Sequence, residues 1–105
     1  MPITKVKSGD RYELMVQGRL DGALANQLEV EILNLIRENA QQIYVNLADS
    51  DFICSAGIRV LLQYYRQMKN SNKVLLVTRP SAAVESTLEM TGFKHLIVEG
   101  SQPKT

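Results

Sequence analysis

Ser55 is the residue of this chain whose type and setting could do chemistry. It stands in Ile53-Cys54-Ser55-Ala56-Gly57, directly before an apolar-periodic run, beside the single cysteine. As a nucleophile it would need a histidine within hydrogen-bond reach. The single histidine, His95, lies far along the chain near the last expected strand, and no G-x-S-x-G elbow surrounds the serine. As a helix cap its hydroxyl would accept a first-turn N–H, an interaction of about 1 kcal/mol and the commonest use of serine at such a place. Cys54 would need a base or a positive field to become a reactive thiolate. The charges near it are Asp49 and Asp51, so a small packed or half-buried cysteine is the expectation. Asp49-Ser50-Asp51 could offer two carboxylates to a hard cation, but no further carboxylate is spaced to complete a shell, and these are ordinary turn residues. One Cys and one His give neither an internal disulfide nor a zinc-type ligand set. No Gly-rich phosphate loop is present, no metal or cofactor is expected, and Tyr64 and Tyr65 read as packing residues rather than a stacking platform.

The elements that must position Ser55 follow from periodicity. Ile43, Val45 and Leu47 alternate with Tyr44 and Asn46, the period of a strand, and the cluster Ala48 to Asp51 makes a turn. Ile58, Leu61, Leu62, Tyr65 and Met68 then form a helical stripe, with Arg59, Gln63, Arg66 and Gln67 on the other side. Upstream, Ile3 to Val6 and Arg11 to Gln17 predict an antiparallel hairpin about the turn Lys7 to Asp10. Gly18 and Leu20-Asp21-Gly22 break that pattern, and Asp21 is placed to cap a helix. Its inner face would be Leu24, Leu28, Ile32, Leu35 and Ile36, with Glu29, Glu31, Arg37 and Glu38 outside. Downstream, Asn70 to Asn72 is a loop and Lys73 to Thr78 a strand apolar enough to be buried on both faces. Pro80 suits the first turn of a third helix with Val84, Leu88 and Thr91 inside and Gly92 as its stop. Leu96 to Val98 would add a short strand, and a polar, frayed tail would follow from about residue 100.

The order β-β-α-β-α-β-α-β predicts an α/β fold: a mixed sheet of about four to five strands with helices chiefly on one face. Asp21 and Ser55 each begin a helix that follows a strand, so they can share one end of the sheet. The 105 residues suit one domain, spanning residues 1–105. Twelve basic against 11 acidic side chains give a formal charge of +1 without like-charge blocks, which advertises neither a nucleic-acid nor a membrane partner. Apolar runs are far shorter than the roughly 20 residues that span a bilayer, and the N-terminus lacks a signal-peptide core. A cytoplasmic location is the expectation.

The run VNLADSDFICSAGIRVLLQYYRQMK resembles the signature of STAS domains, the family of bacterial anti-sigma-factor antagonists that also occurs at the ends of sulfate transporters. Gly18-Arg19-Leu20-Asp21 resembles the Gly-x-Leu-Asp before that family's first helix, and Leu88 to Phe93 its third-helix ending. The resemblance implies a stand-alone, non-enzymatic regulator of transcription acting in signal transduction. It implies that Ser55 is the phosphorylated residue and that Asp21, Cys54, Ser55, Ala56, Gly57 and Arg59 belong to the partner-binding end. The implied partner is an anti-sigma factor that is also a serine kinase, with a serine phosphatase to reset the switch. Many antagonists carry Asp before the phosphoacceptor and a second Ser after it, where this chain has Cys54 and Ala56. Two alternatives stand beside this reading: a constitutive STAS interaction or scaffold module in which Ser55 only caps its helix, and a small hydrolase using Ser55 and His95.

Overall fold

A computed structural model describes residues 2–98, so the tail expected from about residue 100 lies outside the described residues. Strands β1 (Ile3–Ser8) and β2 (Arg11–Gln17) form the hairpin, with Gly9 at φ +62° turning the chain between Ser8 and its partner Arg11. The pairing continues to Ser8, so the turn is tighter than the cluster Lys7 to Asp10 predicted. Helix α1 (Gly22–Arg37), strand β3 (Gln42–Asp49), helix α2 (Ser55–Asn70), strand β4 (Val74–Thr78) and helix α3 (Ala82–Met90) follow.

The sheet order is β1-β2-β3-β4, with β2, β3 and β4 mutually parallel. Both crossovers step in the same direction, so the usual right-handed connection lays α1 and α2 on the same face. Register then decides what is buried. Leu14, Val45 and Val77 stand side by side across three strands, as do Tyr12, Ile43 and Leu75, and all six belong to the core. Glu13, Tyr44 and Leu76 form a row on the opposite face, where polar contacts take over. Asn46 Nδ2 donates to Glu13 Oε2 at 2.7 Å, and the Arg11 guanidinium lies 4.1 Å from the centre of the Tyr44 ring.

That single helical layer corrects the reading of β4 as buried on both faces. Leu75 and Val77 are buried, whereas Val74 and Leu76 are half-buried at the sheet's edge. The expected last strand is also reduced. A 3-10 turn, Lys94–Leu96, drives Leu96 into the core and leaves a single parallel bridge, Ile97 to Val77.

All three helices end alike. Asn39, Asn72 and Gly92 adopt positive φ, and the next residue's N–H reaches back to Leu35, Met68 and Leu88 in turn, closing the last carbonyls in Schellman fashion. Their starts differ. Asp21 Oδ1 accepts from Leu24 N at 3.0 Å and Ser81 Oγ from Val84 N at 3.2 Å. Pro80 therefore precedes the cap rather than occupying the first turn, and Thr91 is the exposed C-cap of α3 rather than part of its inner edge.

The buried face of α2 is Gly57, Ile58, Val60, Leu61, Tyr64 and Met68, with Leu62 and Tyr65 only half-buried. The rotation relative to the expected stripe has a visible partner. Tyr64 OH donates to Glu29 Oε2 at 2.6 Å, which draws that α1 carboxylate, expected on the outer side, into the helix–helix contact. Burial pushes the Tyr64 phenol up to about 12, the hydrogen bond and charge of Glu29 add to the rise, and Arg59 opposes it. A raised phenol pKa means that the fold favours the neutral ring. Its contribution is fully present below the ordinary value of 10 and is lost as pH rises through about 12. Tyr64→Phe should cost about 1 kcal/mol near neutral pH, and urea midpoints should fall less steeply between pH 10 and 12 than in the wild type.

Candidate functional site

Because β2, β3 and β4 are parallel, their carboxyl ends lie on one edge of the sheet, and all three helices begin there. Two backbone hydrogen bonds join the first two of these connections. Leu20 N donates to Phe52 O at 2.9 Å and Cys54 N donates to Leu20 O at 3.0 Å, a parallel bridge between Leu20 and Ile53. The next residues along the two chains are Asp21 and Cys54, so the starts of α1 and α2 sit side by side, as their positions after strands predicted.

Ser50 ties the third connection to the other two. It is fully buried; its Oγ donates to Val16 O at 3.2 Å, and its carbonyl accepts from Ser81 Oγ. Ser81 N in turn donates to Leu47 O at 3.1 Å, and Gly18 N to Asp49 O at 3.0 Å. Asp49-Ser50-Asp51 is therefore a structural corner. In the sequence Ser50 carried only the signal of a turn residue, and nothing local marked it as the buried member of the three.

Ser55 is not the cap of α2. The capping position belongs to Cys54, with extended backbone (φ −91°, ψ 173°) and no side-chain capping bond. Its amide is held by Leu20 O, which fixes Cys54 in the bridge and leaves Ser55 as the first helical residue. The Ser55 side chain is exposed and its hydroxyl bonds to no described residue. Cys54 and Ala56 beside it are half-buried. Gly57 is buried for a steric reason: a Cβ there would stand 3.0 Å from Ile53 Cγ1 and from Leu20 Cγ. Its missing side chain lets the first turn of α2 rest directly on the bridge.

Beside Ser55 runs an open groove of about 320 Å³, lined by Ser55, Ile58, Arg59 and Leu62 of α2 and by Thr91 and Phe93 after α3. Arg59 is exposed on its rim. Ile58, Leu62, Thr91 and Phe93 were not among the expected site residues: the first two read as core stripe of α2, and only tertiary packing brings the end of α3 against the start of α2. His95 is elsewhere. Its ring meets Tyr65 edge-on at 5.5 Å between centroids, beside a larger groove of about 490 Å³ that also includes Lys69 and Lys73. Tyr65 is ten residues along α2 from Ser55, roughly 15 Å at 1.5 Å per residue. The structure thus does not bring the histidine to the serine, and a nucleophilic Ser55 lacks its base. Among the described residues, no three His, Cys, Asp or Glu gather to hold a metal ion, and no helix is long and apolar enough to cross a membrane.

Comparison with known proteins agrees with this fold. A family model described as "STAS domain" matches residues 2–104. The protein BtrV of Bordetella bronchiseptica is 28% identical over 93 residues, covering 89% of this chain and 80% of that protein. The anti-sigma-B factor antagonist of Staphylococcus epidermidis is 25% identical over 95 residues, 90% of this chain and 88% of its own. Among solved structures, the anti-sigma factor antagonist SpoIIAA in its unphosphorylated form superposes with a TM-score of 0.81 at 17% identity, covering 95% of this chain and 89% of that one. The phosphorylated form of the Bacillus protein gives 0.74, with 95% and 92% covered.

The packing of Gly57 is open to direct test. Ile53 and Leu20 are both buried and cannot retreat into solvent. Gly57→Ala should therefore destabilise the fold by about 1–3 kcal/mol despite alanine's better helix propensity, measured as a lowered urea midpoint with an unchanged slope.

Proposed function

Since the chain belongs to the STAS-domain family, we propose that it is an anti-sigma-factor antagonist controlled by phosphorylation of Ser55. The observation that carries this reading is the state of that hydroxyl. It is exposed, free of hydrogen bonds to the described residues, and set at the start of α2, whose cap Cys54 lies across the bridge from Asp21. A capping serine would have its oxygen occupied; this one is open to a modifying enzyme. The relatives support the assignment: one is an anti-sigma-B factor antagonist, and SpoIIAA has been solved both with and without its phosphate.

In this reading the unmodified chain binds an anti-sigma factor that is also a serine kinase, and so releases the sigma factor. The kinase moves the γ-phosphoryl group of a nucleoside triphosphate to Ser55 Oγ. The Oγ–P bond forms, the hydroxyl proton passes to a base on the kinase, and the nucleoside diphosphate leaves. The phosphate adds about −1.5 to −2 charge at pH 7, which the positive end of α2 tolerates. A partner surface that itself holds nucleotide phosphates would be repelled by it. A serine phosphatase would restore the starting state by hydrolysis.

The second reading, a constitutive interaction module, draws on Cys54 and Ala56, which stand where many antagonists carry Asp and Ser. Intact mass and fragmentation of the protein from its own host decide between them. A phosphoryl group on Ser55 under some condition of growth, starvation or stress is the expected result. Its absence under all three would favour the constitutive module. With the cognate anti-sigma kinase in hand, Ser55→Asp should weaken binding by roughly tenfold or more, a loss of at least about 1.4 kcal/mol. An unchanged affinity in titration calorimetry would contradict the switch.

A further inference from the structure

Arg59 stands one helical turn after Ser55 in the regular helix α2, exposed, and both residues line the same groove. Residues four apart on a helix have Cβ atoms about 5–6 Å from each other on one face. An arginine reaching back toward a phosphoserine closes that gap easily. The guanidinium makes no hydrogen bond or ion pair with any described residue; its electrostatic influence is felt at Tyr64. The first turn of α2 holds no acidic side chain to compete for it.

Resting on the phosphorylation of Ser55 advanced above, we propose that Arg59 captures the phosphoryl group as an intramolecular clamp. Modification then does two things at once: it adds negative charge and withdraws the cation that the unmodified groove offers to a partner.

The chemistry favours arginine for this work. Its planar fork donates two parallel N–H bonds to two phosphate oxygens, whereas lysine would act as a point charge. In the unmodified chain the same fork stands at the mouth of a groove walled by Ile58, Leu62, Thr91 and Phe93. A partner that inserts an apolar side chain there and sets a carboxylate against Arg59 fits both features. Phosphorylation reverses the charge of that mouth from +1 to about −0.5 to −1. The partner's carboxylate then loses its cation and meets an anion.

The test installs phosphoserine at position 55 by genetic encoding, so no host kinase is needed, and follows the phosphate by phosphorus NMR during a pH titration. Wild type, Arg59→Gln and Arg59→Lys are compared. A nearby cation favours the dianion, so the wild-type midpoint should lie below that of Arg59→Gln by about half a pH unit or more, with Arg59→Lys between them. Asp21 across the bridge, Asp51 in the preceding loop and the Tyr64–Glu29 pair are unchanged in all three proteins, so the difference reports Arg59. A merely structural Arg59 would lower the thermal midpoints of modified and unmodified protein alike and leave the phosphate titration unmoved. Coincident midpoints for wild type and Arg59→Gln would overturn the clamp while leaving the switch standing. Absence of phosphate from the host protein would remove the switch while leaving the clamp result standing.

Discussion

Two backbone hydrogen bonds between Leu20 and the segment Phe52 to Cys54 are the constraint on which the candidate site depends. They extend the β2–β3 pairing past the formal end of both strands, so that two helices must start next to each other. They also settle the fate of each residue in the motif. Cys54 gives its amide to the bridge and is held extended; Ser55 becomes the first helical residue with its hydroxyl bonded to no described residue; Gly57 lies so close to the bridge that a Cβ would stand 3.0 Å from the side chains of Ile53 and Leu20. The exposure of Ser55 is thus a consequence of where its neighbour's N–H is committed.

The rest of the carboxyl edge makes that arrangement firm. Ser50, fully buried, bonds to β2 through its hydroxyl and receives Ser81 through its carbonyl, so all three connections from strand to helix are tied to one another. Charge added on a platform of this kind is answered locally, because the backbone under it has little freedom to move away. Were Ser55 phosphorylated as proposed, the positive end of α2 would accept the anion without loss of fold, and the cost would fall on a partner docked at the groove between α2 and the end of α3.

Periodicity identified most elements because burial in this fold follows one face. The alternation in Arg11 to Gln17 and Gln42 to Asp49 and the heptad-like spacing in α1 each reflect contact with a single core. Asp21 as a cap and Gly92 as a stop follow from local backbone requirements and were legible for that reason. The misreadings have a common cause in contacts distant in sequence. Glu29 faces inward because Tyr64, thirty-five positions away, donates to it. The strand β4 looked doubly buried, yet among the described residues only its Leu75 and Val77 are fully covered, and Leu96 to Val98 keeps a single bridge because Leu96 turns into the core.

The sequence by itself determined the α/β order, the serine at the start of the second helix and the resemblance to an interaction family, since each rests on spacing within one stretch of chain. Tertiary structure alone decided that Cys54 rather than Ser55 takes the cap position, that a backbone bridge joins Leu20 to Ile53, that Ser50 is the buried hub, and that His95 lies away from Ser55. Those outcomes depend on which N–H, carbonyl and ring meet across the fold. A pattern of residue types along one chain does not contain that information until the strands have paired and the helices have packed.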